Sequence, residues 1–248
     1  STPTAGTSNV RFGVNAGNSI ASGGNYNTVV GDEAGTALTT GDGNVAIGFN
    51  ALKTEDANGQ NVAIGFKALE DLNAGADGLN TAVGYSAGLN VTTGIQNTLI
   101  GGYAGDALTD ADFNVAVGTD ALTADTLGSR SVAIGRRSLY TQNFTSATDA
   151  YNVGVGFNAG YSVTTGIQNT FVGGLSGDAT TTANSNAAFG YGSLGANTTG
   201  AQNVALGSGA LFSNTTASNN TAVGLNTLLA NTTGANNVAV GSFALDAN

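Results

Sequence analysis

A chain of 248 residues with 39 Gly, thirty Asn and only 9% charged residues contains no Cys, His, Met or Trp and a single Pro. Without imidazole or thiolate, the usual zinc, copper, haem and iron–sulfur sites, Ser-His-Asp and Cys-His catalysis and disulfide stapling are excluded, and no cofactor is implied. Six Lys+Arg against sixteen Asp+Glu give a net charge of −10, which argues against nucleic acid or anionic membrane as a partner, and no apolar run approaches the roughly 20 residues of a membrane span.

In chain order, residues 1–8 follow no pattern and are expected to form an N-terminal extension. The start at Ser1, without initiator Met or signal peptide, reads as a mature or excised chain. From Asn9 a repeat begins. Asn44-Val45-Ala46-Ile47-Gly48-Phe49-Asn50-Ala51-Leu52 returns as Asn61-Val62-Ala63-Ile64-Gly65-Phe66-Lys67-Ala68-Leu69, and again at 114–122, 203–211 and 237–245. Anchored on its central glycine, the series runs Gly13, Gly31, Gly48, Gly65, Gly84, Gly101, Gly118, Gly135, Gly156, Gly173, Gly190, Gly207, Gly224 and Gly241. The spacings are 18, 17, 17, 19, 17, 17, 17 and 21, then five of 17. Residues 9–248 therefore read as a single array of 14 copies with no second domain.

Each column of the repeat has a physical reading. Three residues before the anchor stands Val or Thr in 13 of 14 copies, with Ala187 the exception, and the residue just before the anchor is always apolar, from Phe12 to Val240. Columns two apart share one face of a strand, and β-branched residues favour strands. This pair is assigned to the inside. The residue between them, Ala in nine copies and Gly154 in one, is then expected to face outward, against a closely packed neighbouring surface. The anchors are turn glycines, as expected where a strand turns at positive φ or another backbone comes close. After the anchor a second short strand is expected, as at Phe49-Asn50-Ala51-Leu52, and turn chemistry fills the remainder, as in Asn197-Thr198-Thr199-Gly200 and Asn231-Thr232-Thr233-Gly234. A unit this small cannot bury its own apolar stripe, but stacked units can. The fold class is all-β, a β-solenoid or parallel β-roll of 14 rungs.

The column opening the motif is Asn9, Asn27, Asn44, Asn61, Asn80, Asn97, Asn114, Asn152, Asn169, Asn186, Asn203, Asn220 and Asn237, interrupted once by Ser131. Equivalent amides one rung apart are expected to bond as a structural ladder. A longer period overlies this one: 91–98 recurs unchanged as 163–170, and the fourth residue after the anchor runs Gly17, Gly35, Leu52, Leu69, then Gly88, Gly105, Leu122, Leu139, then Gly160, Gly177, Leu194, Leu211. The duplicated block is four rungs. Extra residues enter at 18–26, 70–79 and 140–151, which are candidate partner contacts or plain surface insertions.

Asn-[Val/Thr]-Ala-[Ile/Val]-Gly, as at 61–65 and 220–224, resembles the head repeat of trimeric autotransporter (YadA-like) adhesins. The unit 214–228 is also similar to repeats of phage tail-fibre and related surface fibre proteins. The resemblance covers 9–245. It implies a left-handed parallel β-roll, often a homotrimer, on a fibrous virion or cell-surface structure, with the Ala column facing the neighbouring subunit. The spacing is longer than in adhesin heads, and no heptad stalk, membrane anchor or C-terminal chaperone domain accompanies it.

Among other sites, Asp32-Glu33, Glu55-Asp56 and Glu70-Asp71 are adjacent acids whose side chains are expected to diverge, so no catalytic residue is assigned. Asp110-Ala111-Asp112 with Asp106 is weighed as a calcium loop against a solvated acidic loop, and the latter is preferred, so no metal ligand is assigned. Asn-x-Thr sequons at Asn143, Asn197, Asn214 and Asn231 need be no more than turn residues in the last three cases. Ice binding would want an unbroken Thr array. Thr28, Thr81, Thr98, Thr170 and Thr221 do not make one. After Arg137 the only charges are Asp149, Asp178 and Asp246, and a surface so poor in charge invites association. The array begins and ends on motif copies without a divergent capping rung, which would leave strand edges open. The expectation is a non-enzymatic subunit of an extracellular, cell-surface or virion fibre. It would associate with itself as a homotrimer or as an end-to-end or lateral filament. The alternative is an adhesin module binding a cell-surface glycan or receptor through the insertions.

Overall fold

The computed structural model describes residues 6–247, and the chain divides into two units, Ser1–Leu127 and Gly128–Asn248. Both are parallel β-solenoid, and no helix occurs among the described residues. In the first unit, β1 (Val10–Phe12), β2 (Thr28–Val30), β3 (Val45–Ile47), β4 (Val62–Ile64), β5 (Thr81–Val83), β6 (Thr98–Ile100) and β7 (Val115–Val117) pair in chain order. The second holds β8 (Gly128–Ser129), β9 (Val132–Ile134), β10 (Thr148–Asp149), β11 (Val153–Val155), β12 (Thr170–Val172), β13 (Ala187–Phe189), β14 (Val204–Leu206), β15 (Thr221–Val223) and β16 (Val238–Val240). There β9 and β11 to β16 form the main ladder, and β8 pairs with β10. Register follows the repeat column by column: Val45 lies beside Val62, Ala46 beside Ala63 and Ile47 beside Ile64. Of the N-terminal extension, residues 1–5 lie outside the described residues. Thr7 already belongs to the stack, donating its N–H to Asn25 Oδ1 at 2.8 Å and accepting from Tyr26 N–H at 3.1 Å.

The strands are inside out relative to the sequence expectation. The central Ala column is the buried one. Ala46, Ala63, Ala82, Ala116, Ala133, Ala188, Ala205 and Ala222 have no exposed surface, while the Val/Thr column and the apolar column before the anchor are half-buried or exposed. The period of two was right and the choice of face was wrong; the residues after the anchor, expected as a second short strand, form a turn instead, as at 49–52. Each coil spends only three residues on this wall, and the opposite wall is close: Leu139 Cγ lies 3.1 Å from where a β-carbon would stand on Gly154, the central strand residue of the next coil. Two facing layers of large side chains do not fit. One layer comes from the far wall, and the strand contributes Ala.

The same limit explains the four-coil period. Count from the anchor, so that the central strand residue is at −2 and the Gly/Leu column at +4. Every coil with Leu at +4 has Ala at −2, for example Leu52 with Ala46, Leu122 with Ala116 and Leu211 with Ala205. Where +4 is Gly, volume returns from elsewhere. Leu99 at −2 reaches two coils, with its Cδ1 and Cδ2 each 2.7 Å from the β-carbons that Gly88 and Gly105 lack. Phe171, fully buried, does the same for Gly160 and Gly177. Val29 and Leu38 together close the space over Gly35. Core volume is conserved by exchange between two walls, which keeps the packing close without strain on either.

The backbone is held by hydrogen bonds between coils around much more of the circumference than the strands. The anchors have φ between 125° and 148°. A β-carbon on Gly65 or Gly207 would lie under 3.0 Å from the carbonyl of the next anchor, so stacking as well as φ excludes any side chain. Three further residues per coil, at −5, +2 and +4, take φ between 49° and 68°. Among them are eight leucines at +4, each in a conformation costing roughly 1–2 kcal/mol for a residue with a β-carbon. Bonds to the next coil hold them there, such as Leu52 N–H to Ala68 C=O at 3.0 Å and Leu211 N–H to Thr227 C=O at 3.0 Å.

Candidate interaction surface

The two strand columns that face outward make an apolar stripe along each unit. Ile100, Ile134, Phe189, Val204 and Leu206 are each about two-fifths to one-half exposed, with Val204 at 41% and Leu206 at 48%. Seven strands stacked roughly 4.8 Å apart, with columns one pleat apart, give each unit a stripe on the order of 300 Å². Aromatic and aliphatic side chains widen it. At +1 these are Phe49, Phe66, Tyr85, Phe157, Tyr191 and Leu225; at −5, Tyr26, Leu79, Phe113 and Tyr151, all exposed. The two strand columns themselves carry no charged residue.

At +1 and +2 of the first unit, exposed rings stack from coil to coil: Phe49 on Phe66 at 5.4 Å, Phe66 on Tyr85 at 5.0 Å, and Tyr85 against Tyr103 edge-on at 5.3 Å. Both faces of Phe66 are thereby covered by other rings, and only ring edges meet solvent.

The Asn column is buried and bonded in a more specific way than amide to amide alone. Where Asn follows Asn in the column, Oδ1 accepts the backbone N–H of the next one, as in Asn27 N–H to Asn9 at 2.8 Å and Asn203 N–H to Asn186 at 3.0 Å. Most Nδ2 groups donate to a turn carbonyl, as in Asn27 to Gly41 at 2.8 Å and Asn152 to Gly166 at 2.7 Å, while Asn220 Nδ2 is buried without a partner. Amide-to-amide bonds accompany these, for instance Asn237 Nδ2 to Asn220 Oδ1 at 3.0 Å. At the break in the column, Gln142 Nε2 donates to Ser131 Oγ at 3.0 Å and its Oε1 accepts from Asn152 at 2.9 Å.

A second ladder was not foreseen. At +7, Asn214 Nδ2 donates to Asn197 Oδ1 at 2.9 Å and Asn231 Nδ2 to Asn214 Oδ1 at 3.2 Å, while each amide also closes its own turn onto Gly200, Ala217 or Gly234. All three are buried, so they are turn residues and core residues at once. The sequence signal was present in phase: Leu38, Val91 and Val163 occupy the same column. Asn143 is exposed on the 140–151 insertion.

The insertions are partly built into the wall. Ile20, Leu72 and Phe144 are buried, β10 lies within 140–151, and exposed tips remain at 21–23, 75–77 and 145–147. Arg130 pairs with Asp149 at 2.9 Å across β8 and β10. Both ends are exposed, so the pair contributes about 0–1 kcal/mol.

The acid pairs diverge. Asp32 accepts from Val14 N–H and Glu33 from Asn15 Nδ2. Glu70 takes Asn50 Nδ2 at 2.6 Å and Lys67 Nζ at 3.0 Å. Glu55 is buried, its Oε1 accepting from Asn58 and its Oε2 from Ala74 N–H; loss of solvent pushes its carboxyl above the usual range, against the pull of those bonds. Asp106 and Asp178 are raised for the same first reason. Asp110, Asp112 and Asp106 accept from Thr93, Ile95 and Thr123 respectively, and no group of three acids able to hold a metal ion occurs among the described residues. Comparison with family models, curated proteins and solved structures returned no match.

Proposed function

We propose that the chain is a non-enzymatic structural protein, a self-associating subunit of an extracellular or virion fibre. The observation that carries this reading is the outward Val/Thr and Val/Ile stripe. The Ala face, first expected to meet a neighbour, is core and is not available. A stripe of this size in each unit, widened by flanking rings, matches the largest apolar patch of a typical monomer, about 300–600 Å², a size at which such patches are often functional. A second copy is the fitting occupant. Its side chains repeat at the same spacing, and neither strand column carries a charge that pairing would strand. The neutral second unit adds no repulsion, since it holds three acids and three bases.

The test is the mass of the native chain against concentration by light scattering, beside Val204→Asp with Leu206→Lys. Because both side chains are exposed, circular dichroism should be unchanged while the assembly dissociates. A native chain that stays monomeric at all concentrations overturns the reading.

A further inference from the structure

The second unit breaks its surface pattern at one place. Twelve of the fourteen +2 residues carry a side chain, and the two that do not are consecutive, Gly192 and Gly209. Over them two adjoining clefts of about 280 and 330 Å³ open, sharing Tyr191, Gly192 and Phe212. Gly195 extends the floor: its missing β-carbon would stand 3.1 Å from Phe212 Cε2, so the ring leans over the gap instead of a neighbouring side chain.

Tyr191 differs from the stacked rings of the first unit. Its column neighbours are Gly174 and Ser208, so no ring covers it, and it is 63% exposed. Polar groups sit at the two ends, Asp178 in one cleft and Ser208 with Asn226 in the other. No Lys or Arg lines either cleft, which disfavours an anionic ligand, and a single carboxylate is a poor cation site.

We infer that the Tyr191–Phe212 groove binds a neutral saccharide of one or two pyranose units. A pyranose has an apolar C–H face and a rim of hydroxyls. The uncovered rings of Tyr191 and Phe212 match the face, and Asp178, Ser208 and Asn226 match the rim. Three glycines leave the depth that a ring needs. This site is separate from the insertions, and of its lining residues Tyr191 alone also flanks the stripe assigned to self-association.

The experiment is saturation-transfer NMR on the full chain with maltose, cellobiose and lactose at millimolar concentration. N-acetyl-leucinamide serves as an apolar peptide probe. Transfer to ring C–H protons of at least one disaccharide is expected. Gly192→Asn refills the groove with the residue the repeat uses in the same left-handed conformation at Asn50 and Asn158, and should weaken binding about tenfold or more without lowering the melting temperature. Phe212→Ala should weaken it likewise and serves if Gly192→Asn folds poorly. No transfer from any disaccharide, transfer undiminished in both variants, or transfer from N-acetyl-leucinamide alone each overturns the proposal.

Discussion

In the first unit position +7 holds Ile20, Leu38, Leu72, Val91 and Leu108, with Glu55 and Asp125 among them; in the second it holds Gln142, Val163, Thr180, Asn197, Asn214 and Asn231, and all are buried. The first unit also carries thirteen of the sixteen acids and three of the six bases, so the whole net charge of −10 falls there. One backbone thus tolerates two interior chemistries. An apolar column is satisfied by contact alone, whereas each polar member needs bonds, supplied by the next amide at Asn197, Asn214 and Asn231 and by partners outside the column at Glu55 and Gln142. The outer faces differ in parallel: at +1 and +2 rings cover one another from Phe49 to Tyr103 in the first unit, whereas in the second the stacked pair is Tyr140 on Tyr161 and Tyr191 has no ring over it.

The largest expected effect erases the difference between units. Gly65→Ala and Gly207→Ala each force a β-carbon onto the next coil's carbonyl at φ 139° and 140°. Each should cost about 3 kcal/mol or more, read as a loss of urea midpoint or of folding. Equal damage in both units is the expected outcome; tolerance in either contradicts the stacking account.

Exchanging the interiors sharpens the contrast. Val91→Asn places an amide between Leu72 and Leu108 and should cost about 2–4 kcal/mol. Asn214→Ala removes a link from the second ladder, leaving partners of Asn197 and Asn231 unmade, and should cost about 1–3 kcal/mol. Thermal unfolding of the two variants measures both. A neutral Val91→Asn would show that the columns are interchangeable.

A smaller effect separates the surfaces. Phe66→Ala breaks two ring contacts and should lose about 1–3 kcal/mol, at about 0.5–1.5 kcal/mol per stacked pair. Tyr191→Ala, with no ring partner, should change the melting temperature much less.

The weakest is a pH trend. Glu55, Asp106 and Asp178 have folded-state pKa values above their ordinary ones. Between the ordinary and the raised value the folded chain holds more protons than the unfolded one, so stability declines as pH rises through that window. Repulsion within the acidic first unit adds in the same direction. Urea midpoints across the acid range should fall with rising pH, and Glu55→Gln should flatten the slope. A midpoint that climbs with pH across this window would contradict the assignment.

Much of the fold was legible because stacking repeats make each column answer one physical question many times over. Gly48 and its equivalents are invariant because a backbone passes where a β-carbon would be. Asn27 and its equivalents recur because each coil must satisfy the next one's N–H. The period of two in Val45-Ala46-Ile47 announced a strand, yet it is symmetric between faces and is silent on which is inside. Asn214 read as a turn residue because its local sequence is turn-like, and only the neighbouring coils reveal that it is also core.

By itself, then, the sequence determined the coil number, the position of the ladder strand before each anchor, the parallel register and the ladder at Asn, since all of these follow from periodicity and local backbone chemistry. The tertiary structure decided what lies inside. The separation of the two walls, a distance no local pattern encodes, selected Ala over Val for the interior. It paired Leu at +4 with Ala at −2, and it left the β-branched columns and the Tyr191–Phe212 groove on the surface.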